Sequence, residues 1–103
     1  MLRKIAISIL ATSALACTPA WADMALATSK NCMSCHHPDR KVVGPAYKEI
    51  AKRYANEPLA LAALTTKIQK GGAGVWGVVP MPANPQVSEA EAQKLAGWVL
   101  SLR

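Results

Sequence analysis

Cys32-Met33-Ser34-Cys35-His36 sets two thiols three positions apart, with an imidazole directly after the second. On one turn of helix both sulfurs project to the same side, where they can meet two vinyl groups along one porphyrin edge. The next residue then turns its imidazole towards the iron. Five consecutive residues thus supply two thioethers and an axial ligand, the C-x-x-C-H pattern of covalent haem attachment. C-x-x-C has two other readings, a redox disulfide pair and half of a zinc site. The first needs a βαβ context and the second a further ligand pair. The remaining candidates, His37 and Cys17, are badly placed to complete a zinc site.

Upstream, Arg3 and Lys4 precede a 12-residue apolar run from Ile5 to Ala16, and Ala20-Trp21-Ala22 offers a small-x-small cleavage site. These are the parts of a secretory signal peptide. Twelve residues fall short of the roughly 20 that span a bilayer, so no permanent membrane anchor is expected. Cleavage after Ala22 removes 22 of the 103 residues and leaves one domain over 23–103, exported to the periplasm. A competing reading makes Cys17 a lipid-modified terminus, since Leu15-Ala16-Cys17 resembles the end of a lipobox. Ala14, however, occupies the position where a lipobox carries its large apolar residue. If Cys17 leaves with the leader, Cys32 and Cys35 are the remaining thiols. In an oxidising compartment haem must then capture them before they pair with each other.

The remaining 81 residues make one small domain, near the size at which an apolar core alone gives only about 3–5 kcal/mol. A covalently held, largely apolar porphyrin would complete that core, and the absence of Phe fits one built around a cofactor. Without Arg3 and Lys4 the twelve basic residues become ten against six acidic, a net charge of +4. Two ionised propionates would lower this to about +2. That excess is too mild for a nucleic-acid binder, and no basic run is interleaved with aromatics. It suits brief docking on an acidic protein surface. Lys30, Arg40 and Lys41 could ring an exposed haem edge, or could simply form a solvated basic face.

Residues 23–30 read as a short helix capped by Asp23, and 37–41 as an exposed, Pro-interrupted loop. Tyr47, Ile50, Ala51 and Tyr54 fall at i, i+3, i+4 and i+7 of a second helix, with Pro45 in its first turn. Asn56-Glu57-Pro58 opens a third, with Leu61, Leu64 and Ile68 on one face and Gly71 as C-cap. Residues 71–85 form a long loop, and loops of this length are usually functional or disordered. Its apolar content argues against disorder. Ser88 and Glu91 form a capping box for the last helix, whose stripe of Leu95, Trp98, Val99 and Leu102 is expected to pack on the first. No strand pattern, repeat or second domain appears, so the fold is all-α.

Within the long loop, Val79-Pro80-Met81-Pro82 sets a methionine between two prolines, where it cannot join a helix. Its soft, neutral thioether suits a second axial bond to haem iron. The alternatives are an ordinary gap-filling methionine, with the sixth position left open or taken by His37. His37 follows the proximal imidazole by about 100° of helix rotation and is expected at the surface. Gly72-Ala73-Gly74-Val75-Trp76-Gly77 matches G-x-G-x-x-G literally. It follows a helix, opens none, and has no room for a βαβ unit, so a dinucleotide site is discarded.

With Val43-Gly44-Pro45-Ala46-Tyr47, Gly74-Val75-Trp76-Gly77 and Pro80-Met81-Pro82 following the haem motif in order, the chain resembles the class I c-type cytochromes, in particular their short bacterial monohaem branch. The resemblance implies a small cytochrome c fold of four to five short helices around one covalent heme c, with N- and C-terminal helices packed together. It implies thioethers from Cys32 and Cys35, a proximal His36 and a distal Met81. It further implies that the Pro45 carbonyl accepts from the far nitrogen of His36, that Trp76 and Lys67 reach haem propionates, and that Asn84 hydrogen-bonds near the methionine sulfur. Where the relatives have arginine, Lys67 offers a point charge rather than a fork.

The expected activity is one-electron transfer by a soluble, monomeric periplasmic carrier between respiratory redox partners, not an enzymatic reaction. A quinol-oxidising complex, a terminal oxidase or a nitrite reductase are partners that the resemblance allows. The alternative is a haem protein with a labile sixth ligand, acting as a gas or peroxide sensor or enzyme.

Overall fold

The computed structural model describes residues 20–103, with side chains from 23 onwards. The expected leader therefore lies almost wholly outside the described residues. Four α-helices follow in order: α1 (Ala20–Ser29), α2 (Tyr47–Arg53), α3 (Ala60–Lys70) and α4 (Glu89–Leu100). A 3-10 turn over Cys32–Ser34 separates α1 from the loop leading to α2. Among the described residues there are no strands, only two isolated bridges, His36 with Lys41 and Gly72 with Met81. No described helix is long and apolar enough to cross a membrane.

α4 is the hub of the fold. It contacts α1 as expected, but packs more extensively on α3 and also touches α2. Its stripe explains why: Ala92, Leu95, Ala96, Trp98 and Val99 are all buried, an apolar face broad enough for several neighbours. α1 presents the fully buried Ala27 to this core. Ion pairs flank the α1–α4 contact, Lys94 with Asp23 at 3.6 Å and Lys30 with Glu91 at 3.3 Å. The capping box forms as read: Glu91 N–H donates to Ser88 Oγ at 3.1 Å, and Ser88 N–H donates to Glu91 Oε1 at 3.0 Å.

Several boundaries differ from the sequence reading. α1 begins at Ala20, so Asp23 lies in its first turn instead of capping it. α2 begins at Tyr47 and Pro45 stands just before the N-cap, Ala46, which offers no side-chain cap. The orphan N–H groups of Tyr47 and Lys48 instead donate to the carbonyls of His37 and Pro38, at 3.0 and 3.1 Å. The segment after the haem motif thus caps α2 with its own backbone. α3 begins at Ala60, because the residues around Pro58 form turns first. Leu64 is buried as expected, but Leu61 is 47% exposed and Ala60 and Thr65 take the inner face. Gly71 closes α3 as C-cap with φ 73°. That conformation suits glycine.

Candidate haem site

A cleft with about 1290 Å³ of empty space, partly open to solvent, runs between α2, α3, α4 and the 71–85 loop. Cys32, Cys35 and His36 line one side of it, and Val79, Pro80, Met81 and Pro82 also line it. The local fold explains the motif's geometry. Asn31, in the left-handed region at φ 65°, follows α1 and is the N-cap of the 3-10 turn. Cys35 and His36 N–H then both donate to the Cys32 carbonyl, at 3.2 and 3.0 Å. One tight turn therefore brings all three side chains to the same cleft.

His36 is buried, 9% exposed, and its Nδ1 lies 2.8 Å from the Pro45 carbonyl. A carbonyl can only accept, so Nδ1 carries the proton and Nε2 keeps the lone pair. The Tyr47 ring stacks on His36 with centroids 5.2 Å apart, and Trp98 meets Tyr47 edge-on at 5.3 Å. Gly44 completes the cradle: a Cβ there would sit 2.5 Å from His36 Cε1 and 2.9 Å from Nδ1. Burial pushes the Tyr47 hydroxyl well above the ordinary phenol range, so it stays neutral and directs its O–H to Met33 Sδ at 3.7 Å.

Met81 is held by backbone pairing. Its N–H donates to the Gly72 carbonyl at 2.8 Å, and Gly72 N–H donates to its carbonyl at 3.0 Å. Gly71 allows this closure, since a Cβ there would collide with the Met81 carbonyl oxygen. Lys67, Trp76 and Asn84 all line the cleft. The Asn84 amide donates to the Ile68 carbonyl at 2.8 Å and to the Pro82 carbonyl at 3.4 Å, which ties the end of the loop to α3. His37 is half-buried, and its Nδ1 accepts from Asp39 N–H at 3.0 Å.

The chemistry of this cleft fits a porphyrin. Its walls are dominated by Ile50, Leu64, Ile68, Leu95, Val99 and the loop's valines and prolines. The Trp98 Nε1–H, on the cleft wall, is buried without a hydrogen-bond partner among the described residues. Burial raises the Cys32 thiol pKa, the opposite of the lowered value that activates a redox C-x-x-C. No group of three or more His, Cys, Asp and Glu suited to a metal ion occurs among the described residues, so the zinc reading gains nothing.

The sequence profile of the family described as Cytochrome c matches residues 24–103. The chain belongs to the cytochrome c family. Among curated relatives, this cytochrome is 50% identical over 84 residues to cytochrome c-552 of Nitrosomonas europaea, covering 82% of each chain. It is 48% identical over 97 residues to cytochrome c-551 of Pseudomonas aeruginosa, covering 92% of each. The crystal structure of wild-type Nitrosomonas europaea cytochrome c552 superposes with a TM-score of 0.76 at 49% identity, covering 78% of this chain and 99% of that one. This cytochrome is therefore a class I c-type cytochrome of the c-551 type, carrying one covalently bound haem c. It is a small monohaem electron carrier and not an enzyme.

Proposed function

We propose that Cys32 and Cys35 hold the haem by thioether bonds, that His36 and Met81 ligate its iron, and that the protein shuttles electrons between exported redox partners in the periplasm. The haem supplies a reversible one-electron Fe(III)/Fe(II) couple. The His36–Pro45 hydrogen bond carries the reading: it fixes the tautomer, orients the ring and strengthens Nε2 as a donor. Met81, which lines the same cleft, supports it, since a soft thioether favours the reduced iron. Tyr47 and Gly44 keep the His36 ring from turning, so the ligand set changes little between oxidation states. Lys67 and Trp76, which line the same cleft, would supply the contacts to the propionates.

Val43, Val75, Trp76 and Val79 line the cleft and are each at least 40% exposed. They give the cleft mouth an apolar face for a partner. Arg40 and Lys41 are exposed beside it, Lys41 through its bridge to His36. Lys30 leaves that set, because its ammonium sits on Glu91 and on the Gln86 carbonyl at 3.1 Å. Steering by the exposed pair should weaken with salt. For localisation, the family match starts at residue 24, one residue beyond a mature start at Asp23, which supports cleavage after Ala22.

Replacing Met81 with Ala tests the ligand assignment. The holo-protein should become high-spin and its potential should fall. An unchanged low-spin spectrum would move the sixth ligand elsewhere.

A further inference from the structure

The segment 73–80, which carries the chain across the cleft mouth to Met81, has few ties to the rest of the protein. Its backbone makes one internal hydrogen bond, Gly74 N–H to the Gly77 carbonyl at 3.0 Å. The flanking Gly72–Met81 pair closes its base, and the bonds at Asn84 lie beyond it. Between those anchors, no backbone or side-chain hydrogen bond and no ion pair joins 73–80 to another element among the described residues. Gly74 and Gly77 have φ of 98° and 118°, and a Cβ at either would meet nothing within 4 Å. The tip is therefore loosely packed as well as weakly bonded.

One polar contact does cross from it to the helical body. The Arg53 guanidinium lies 5.3 Å from the centroid of the Trp76 ring, within the roughly 6 Å over which a cation is drawn to an indole face. Arg53 is the last residue of α2, the helix whose Tyr47 and Ile50 also line the cleft. Among the described residues it makes no ion pair. A planar guanidinium can lie flat on the ring, whereas an ammonium offers only a point charge.

We infer that Arg53 is a positioning residue: by clasping Trp76 it latches segment 73–80 over the cleft and sets how often the loop that presents Met81 opens. A cation–π contact at an exposed site corresponds to roughly a two- to fivefold change in that opening equilibrium.

Amide hydrogen exchange on the oxidised holo-protein reads the latch directly. In Arg53→Ala, exchange at the hydrogen-bonded amides of the loop and its base, Gly72, Gly74 and Met81, should quicken about two- to fivefold while the buried amides of α4 stay as in the wild type. Arg53→Lys should lie between the two. Unchanged exchange in the loop, or equal acceleration throughout the protein, overturns the latch. A second readout, cyanide binding to the ferric holo-protein, rests on the assignment of Met81 to the iron. Cyanide binding that quickens in step with loop exchange supports both ideas. Faster exchange with unaltered cyanide binding upholds the latch and counts against Met81 as the group that must leave.

Discussion

Gly44→Ala adds a single methyl group directly against the imidazole of His36. The added Cβ would lie 2.5, 2.9 and 3.1 Å from Cε1, Nδ1 and Nε2 of His36, so three ring atoms would be contacted at once. The ring has no easy retreat, with Nδ1 bonded to Pro45 and the face stacked on Tyr47. The backbone on the other side is equally fixed, because Gly44 N–H donates to the Cys35 carbonyl at 2.8 Å. Overpacking of this kind costs about 1–3 kcal/mol, and loss of the Nδ1 hydrogen bond about 0.5–1.5 more. Together these predict a loss of about 2–4 kcal/mol. For a domain of this size that lowers the melting temperature by roughly 10–30 °C.

The same change should register at the haem. With His36 as the proposed iron ligand, loss of the Pro45 bond would weaken its donation and cost the ferric form stabilisation, so the potential would rise. A difference of about 0.5 kcal/mol between the oxidation states is already about 20 mV. The assays are thermal unfolding followed in the Soret band, a redox titration, and the NMR resonance of the His36 ring proton. Wild-type melting with an unshifted Nδ1–H resonance would refute the claim that Gly44 is there for close approach to the imidazole.

Gly97→Ala should do the opposite: Gly97 lies inside α4, where the new Cβ meets only Leu61 Cδ1 at an ordinary 3.9 Å. A gain of about 0.5–1 kcal/mol is expected, and chemical denaturation of the holo-protein would detect it. Ser88→Ala removes the cap that holds Glu91 and should cost about 1 kcal/mol, measured in the same way. Glu91 also gives a pH signature, since its bond to the Ser88 backbone and its pairing with Lys30 hold its carboxyl below the ordinary glutamate value. A depressed folded-state pKa contributes stability that is complete above about pH 4.5 and is lost as pH falls through the folded value. Lys30→Met should flatten that acid limb, and an unchanged limb would assign acid sensitivity to other carboxylates.

What could be read from the sequence was local. The haem motif fits on one turn, the capping box spans four residues, and the two prolines around Met81 announce a non-helical methionine. The features that organise the site depend on contacts between segments that no local pattern links. Gly44 looks like punctuation before Pro45 until the fold brings His36 against it, and no positive φ marks it out. The pairing of Met81 with Gly72 joins residues with no pattern in common. Lys30 reads as a surface charge because its partners, Glu91 and Gln86, lie some sixty residues away in sequence. The start of α2 carried a usable signal: Ala46 is a poor N-cap, so its N–H groups had to find acceptors elsewhere. The start of α3 was misplaced because Pro58 favours a helix start, but the turns around it delay the helix to Ala60.

The central claim is a closed, six-coordinate haem in which His36 and Met81 leave no site for an outside ligand. Exposure of the reduced, untreated holo-protein to carbon monoxide at neutral pH tests this most directly. The account predicts a spectrum that does not change over minutes, with carbon monoxide binding appearing once Met81 is replaced by Ala. Ready binding by the wild-type protein would contradict it and favour a haem with a labile sixth position.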